Sequence, residues 1–359
     1  VDTALQARLR DAFSGEAGAQ IDQRFLNAIE TLQNELSDND LSTLLSKFFN
    51  AFSEVANNPT QHAVRAVAVQ EGQAVADRLA TLRADYGQVR QEIDRTLASS
   101  VTKVNDVLDR IEQLNVQITQ TEAGVGEAAA LRDQRDSLVD ELSTFMDIST
   151  VEQPNGALDV FVGSLPIVLN SQSRGIELRT QSVGSQIEVT VRVRDDGSLL
   201  NVTSGSIGAL LRQRDETVQP SIDAIDQLAG QLIFQVNRLH SQGQGTAGQE
   251  IVTGTYGIDD AMAPLGDAAA GLEFPIVNGS FFIHVTHQGT GTRITRRIDV
   301  DPATMSANDL INEINTVVAV PNVTAGLTPE DQLTLRADAG YEISFSDDTG
   351  GTLAALGLN

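Results

Sequence analysis

Three kinds of residue in this chain are of types that do chemistry. Gly243-Gln244-Gly245-Thr246-Ala247-Gly248 has the spacing of a dinucleotide-binding turn, His284 and His287 stand close together, and acid pairs occur at Asp195-Asp196, Asp259-Asp260 and Asp347-Asp348. The glycine turn works only between a strand and a helix, where pyrophosphate meets the helix N-terminus. Here it follows a helical pattern and leads into more glycine, which reads as a flexible interdomain connection. The histidine spacing puts the two rings on opposite faces of a strand, so they cannot share an ion and read as surface residues. His62 and His240 have neither a serine nucleophile motif nor an acidic orienter in sequence. The acid pairs could hold calcium or act as acid and base on a glycoside, yet none has an EF-hand ladder, and acids in turns commonly serve local hydrogen bonds. No catalytic residue, cofactor or metal ligand follows from these residues. Arg132, Asp133, Arg135 and Asp136 form a charge cluster denser than a helix surface needs. It is either a solvated face with i,i+3 and i,i+4 pairs or a set of charged contacts between neighbouring subunits or helices, and these four are the candidate subunit-contact residues.

Composition narrows the classes further. The 359 residues leave room for more than one core, so about two or three domains are expected. A net charge of -25, with Lys47 and Lys103 the only lysines, makes nucleic acid a poor partner. No window approaches about 18 consecutive apolar residues, so no membrane-spanning helix is expected, and Val1 to Gly18 lacks the basic and apolar regions of a cleaved leader. Cysteine is absent, which removes disulfides, zinc-thiolate sites and thiol catalysis together.

The elements that would position any site come from periodicity. Leu82, Tyr86, Val89, Ile93, Leu97, Val101, Val104, Leu108, Ile111, Leu114 and Ile118 recur in steps of three and four, predicting one helix about 55 Å long. Such length is typical of chains that pack helices side by side into rods or tubes. A shorter helix over Leu41 to Val55 follows the cap cluster Ser37-Asp38-Asn39-Asp40 and stops at Asn57-Asn58-Pro59. Val64 to Leu79 leads toward the long helix with Gly72 as a weak point, Gly124 and Gly126 end it, and Ala128 to Leu142 forms another. The period then changes to two. Asn155-Gly156 signals a hairpin ahead of Leu158, Val160 and Val162, and Ile187 to Val193 alternates up to Asp196-Gly197, giving antiparallel strands with one wet face. Helical spacing resumes from Ile207 to Leu239, with a kink or restart at Pro220, and this second long helix is expected to pack along the first. After Gln242 glycines crowd the chain. Beyond them Phe281 to Thr286, Ile294 to Val300, Leu333 to Ala337 and Tyr341 to Phe345 read as strands, and Ser306 to Val318 as a helix with a capping box at Ser306 and Asp309.

The expected fold class is α+β: an elongated helical bundle over residues 1–242 with an antiparallel β insert at about 147–204, then a small β-rich outer domain over 243–359. One faint echo links Leu131-Arg132-Asp133-Gln134-Arg135-Asp136 with Leu211-Arg212-Gln213-Arg214-Asp215, too short for a repeat.

Several phrases in order resemble the bacterial flagellar hook-associated protein 1 family. Leu41-Ser42-Thr43, Phe48-Phe49-Asn50-Ala51-Phe52, Ala56-Asn57-Asn58-Pro59 and Arg65 are similar to its early helix. Leu114-Asn115-Val116-Gln117-Ile118 followed by Leu131 to Asp136 and Leu138 resembles its long helix leading to an acidic-basic helix. The sharpest likeness is Gly205-Ser206-Ile207-Gly208-Ala209-Leu210-Leu211 with Arg214-Asp215, continuing through Leu228-Ala229 to Val236-Asn237-Arg238-Leu239-His240-Ser241-Gln242-Gly243. Phe345 to Gly351 and Leu353 to Asn359 resemble the outer part. The likeness is good from about residue 41 to 243 and looser beyond. It implies an extracellular flagellar protein, exported without a cleaved signal peptide and assembled as a ring of copies between hook and filament. Its implied partners are the hook protein and the second hook-associated protein, and it implies no catalysis. The family's apolar terminal coils, which build an inner tube and carry export functions, have no counterpart before Val1 or after Asn359. The chain is therefore expected to be a core fragment, monomeric alone, with an export chaperone binding only through the missing C-terminal region. Other readings are a flagellin, filament-cap or adhesin-like surface protein, which the Gly205 to Gly243 phrase disfavours. A carbohydrate-active enzyme would need two carboxylates about 5 to 10 Å apart in a cleft.

Overall fold

A computed structural model describes residues 3–33, 40–123, 126, 128–183, 186–245 and 247–358. Ser37 to Asn39 of the cap cluster, Gly124 and Thr246 lie outside the described residues. The chain divides into two compact units, Val1–Asp226 and Gln227–Asn359. The division falls inside a helix, ahead of the change of texture at Gln242.

The first unit begins with α1 (Thr3–Gln33), α2 (Leu41–Asn57), α3 (His62–Glu122) and α4 (Ala129–Ser143). Asp40 caps α2 by accepting from the Thr43 amide at 2.6 Å. α3 is one helix of 61 residues, about 90 Å long, and it runs unbroken through Gly72. The expected weak point is a packing site: a Cβ on Gly72 would lie 3.1 Å from the Phe48 ring of α2. The predicted apolar seam is the core of this unit, with Ile93, Leu97, Val104, Leu108 and Ile111 wholly enclosed.

α1 gives little apolar signal because its inner face is mixed. Phe25 and Ile29 join the core at one end, whereas Arg10, Ser14 and Gly18 are the buried residues toward the other. Ser14 donates to the Ser204 hydroxyl at 2.8 Å, and the Gly18 position lies against Gly205 and Ala209, so small residues bring two helices close.

The β insert follows as β1 (Ser149–Glu152), β2 (Leu158–Val162), β3 (Leu165–Leu169), β4 (Gln172–Ser173), β5 (Ile176–Val183) and β6 (Gln186–Val193). The first four make an antiparallel sheet in sequence order, and β5 pairs with β6 as a hairpin. The wet face expected for this block is lost on β2, where Leu158, Asp159, Val160 and Val162 are all buried. Its alternation with polar residues misleads because Asp159 is enclosed, accepting from Gln153 Nε2 at 2.6 Å and the Asn170 amide at 2.8 Å.

α5 (Gly205–Arg212) passes through a π-helical segment, Gln213–Val218, into α6 (Gln219–Gln242). Pro220 is the second residue of α6, so the expected restart takes the form of a π bulge just before the proline. Ile207, Leu210, Val218 and Ile222 pack into the core that α3 lines, but the seam leaves this unit after Ile225. The expected side-by-side packing as far as Leu239 is therefore corrected: Phe234 belongs to the core of the second unit, stacked on Phe274 at 4.7 Å, and Leu239 is exposed.

The second unit holds β7 (Ile251–Gly257), β8 (Gly279–His287), β9 (Arg293–Val300), α7 (Ala307–Asn312) with a following π segment Glu313–Val317, β10 (Val323–Leu327), β11 (Gln332–Ala337), β12 (Tyr341–Ser346) and α8 (Thr352–Leu356). Two antiparallel sheets, ordered β10-β11-β7 and β12-β8-β9, enclose a core with α8 and Leu310. The capping box at Ser306 and Asp309 is formed. β7 arises where glycine crowding reads as a connection. Gly254 is there for close approach, since a Cβ would lie 2.4 Å from the Leu356 carbonyl oxygen of α8. The molecule is thus α+β, with long helices and several antiparallel sheets.

Candidate functional site

The residues whose types could do chemistry are placed for structural ends. Asp196 accepts from Arg174 Nη2 at 2.5 Å and from the Ser198 amide at 2.9 Å. The Ser198 amide and then Arg174 hold its carboxyl at about 2. Asp260 closes a turn onto the Met262 amide at 2.8 Å. Asp348, fully enclosed, accepts from the Ser241 hydroxyl at 3.1 Å and from the amides of Thr352 at 3.0 Å and Leu353 at 2.9 Å, so it caps α8.

His284 is not a surface residue. It is buried between Thr295 of β9 and Ser346 of β12, each 2.8 Å from one ring nitrogen. Ser346 gives its own proton to Asp347 at 2.8 Å, so it bridges imidazole and carboxylate. A nucleophilic serine would instead present that proton to the imidazole. His287 lies on the opposite face, accepting from the Gly289 and Thr290 amides at 3.1 Å. The Gly243 to Gly248 segment is followed by strand β7, which removes the helix that a dinucleotide turn requires. Among the described residues no group of three or more His, Cys, Asp or Glu side chains is gathered to hold a metal ion.

The charge cluster on α4 is mostly turned inward. Arg135 is 2% exposed, and its Nη1 donates to Asn115 Oδ1 at 3.0 Å and to the Gly156 carbonyl at 2.7 Å. Burial pushes its guanidinium below the usual arginine value. Its Nη1 is thus engaged inside the chain, while its buried Nε has no hydrogen-bond partner among the described residues. Arg132 grips both Glu122 oxygens, at 2.7 and 2.8 Å, and also bonds Glu152. That hydrogen-bonded grip holds the Glu122 carboxyl at about 2 and raises Arg132. Asp136 is half-buried, 3.9 Å from Arg10 of α1. Asp133 is exposed.

What sequence reasoning missed is the polar line along α3 that these arginines join. Asn115 clamps the backbone of Leu158, donating to its carbonyl at 2.9 Å and accepting from its amide at 3.0 Å. Asn105 clamps Ile176 in the same way, at 3.0 and 2.8 Å, and Glu112 accepts from the Ser173 amide at 2.7 Å. Farther along, Asp94 takes Arg214 Nε at 2.7 Å, and Arg214, also 2% exposed, donates to Asp215 at 2.6 Å. Burial opposes the charge on Arg214, but its bonds to the two carboxylates prevail and its value is raised. Arg135 and Arg214, one from each half of the faint echo, are thus buried against α3. An asparagine inside an apolar seam was the available signal, since such a residue must find backbone partners.

This arrangement uses its polar groups to hold strands and helices on one long helix, and it defines an α+β scaffold protein. A family model described as the flagellar hook-associated protein FlgK helical domain matches residues 26–253. The chain belongs to that family. It is 33% identical to flagellar hook-associated protein 1 of Bacillus subtilis strain 168 over 158 residues, 43% of this chain and 31% of the relative. It is 24% identical to the protein of that name from Salmonella typhimurium over 261 residues, 69% of this chain and 46% of the relative. The chain thus spans less than half the length of these relatives. Its fold resembles the flagellar hook junction protein FlgK from Burkholderia pseudomallei, with TM-score 0.58 and 19% identity over 98% of this chain and 65% of that one.

Proposed function

We propose that this chain is the body of a structural subunit of the bacterial flagellum, forming the junction between hook and filament and serving as a platform for filament assembly. The family match across the α2 to α6 region carries this reading. Copies associate in a ring, with the hook protein and a second hook-associated protein as neighbours, outside the cell and without catalysis. Residues 243–359 serve as the β-rich outer domain. A cysteine-free chain supports export in extended form, because no disulfide can obstruct threading. Of the four charged residues on α4, exposed Asp133 and the outer edges of Arg132 and Asp136 are what a neighbouring subunit would meet.

Electron micrographs of cells lacking the gene test the proposal. Hooks without filaments, with flagellin shed into the medium, are the expected result. Attached filaments of normal length would overturn it.

A further inference from the structure

We infer that the α2–α3 hairpin carries a contact between copies of this chain, made by Phe49 and Phe52 together with Val67 and Val69; the inference rests on the ring reading above. Phe49 and Phe52 are 55% and 44% exposed, and both stand edge-on to buried Phe48, at 5.4 and 4.8 Å between ring centroids. Their rings are therefore held by packing while their outer faces meet solvent. On α3, Val67 and Val69 are 48% and 74% exposed and flank Ala68, which is buried. Helical geometry sends them to either side of that position.

Charge selects the occupant. Leu41 to Ala76 carries Lys47 and Arg65 against Glu54 and Glu71, a balance of zero in a chain of -25. Two copies of so acidic a chain repel across most faces, and this hairpin offers apolar surface without that repulsion. A basic partner would instead be drawn to the acidic remainder. Area selects the geometry. The four side chains expose on the order of 400 Å² of apolar surface divided between the two sides of the hairpin, so each side offers well under half of the ~800 Å² per partner in a free-standing complex. A contact that size is too weak for an isolated pair but holds when a closed ring repeats it and linked contacts act together.

The test places the photo-crosslinking amino acid p-benzoylphenylalanine at Phe52, and separately at Val69, in the full-length protein of motile cells. Purified flagella are irradiated and the adducts identified by mass. Adducts between two copies of this protein are expected at both positions, and adducts only to a different flagellar protein would overturn the choice of occupant. Attached filaments with no adduct would overturn the surface and leave the junction reading standing. Filaments retained in a strain without the gene would overturn the junction reading itself. A Phe49→Ser, Phe52→Ser chain that melts within a few degrees of the parent should lower filament attachment at least tenfold, and unchanged attachment would overturn the contact.

Discussion

At the scale of the residue, the buried arginines and histidine make the sharpest claims. Replacing Arg135 with Ala removes the donor to the buried Gly156 carbonyl and leaves Asn115 Oδ1 with the Leu158 amide alone. The expected loss is about 2–3 kcal/mol of stability, read from urea unfolding of the Arg135→Ala chain. Unchanged stability would return Arg135 to the solvated-face reading. His284 predicts a pH dependence. Burial, helped by Arg293 and opposed by Asp347, lowers its imidazole below the usual 6.5. The unfolded chain then binds a proton that the folded chain refuses. Its contribution is complete above about 6.5 and is lost as pH falls below that value. Melting of the parent and of His284→Gln between pH 7.5 and 5 should converge as pH falls, and parallel curves would contradict the assignment.

At the scale of the element, the apolar stripe of α3 was legible because its wholly buried positions follow the helical period with little interruption. Ile111→Asp should abolish cooperative unfolding of the first unit, since an unpaired carboxylate would enter a fully enclosed site. Native circular dichroism and an unchanged melt would refute that placement. α1 was not legible, because Ser14 and Gly18 do with small size what leucine does elsewhere, and pattern reading counts only apolar bulk. Asn105 and Asn115 were missed for a related reason. A polar residue in a helical repeat is counted as a solvent position, although its place inside the apolar seam marks it as one that must find backbone partners. Glycine misled twice, at Gly72 and Gly254, where it admits a neighbour instead of breaking an element. Of the candidate site, the α4 cluster was visible as charge, but its inward direction depended on Gly156 and Asn115, distant in sequence.

At the scale of the whole molecule, charge governs behaviour in solution. Copies carrying -25 with only modest exposed apolar patches should remain apart. Light scattering coupled to size exclusion is expected to give a monomer at low and high salt. A salt-independent dimer or ring would show an assembly interface stronger than the hairpin patch allows.

The asparagine clamps have a kinetic consequence. Because the amides of Leu158 and Ile176 give their protons to side chains of α3, those protons are shielded by the helix as well as by the sheet. They should exchange with deuterated solvent only when α3 itself lets go, at the slow rate of the whole first unit, whereas amides of the exposed hairpin residues near Thr180 exchange through local fraying of the hairpin. Mass-resolved exchange would then show the β insert opening together with the helix. Fast, independent exchange at Leu158 would mean that the clamps hold the strands without governing their release.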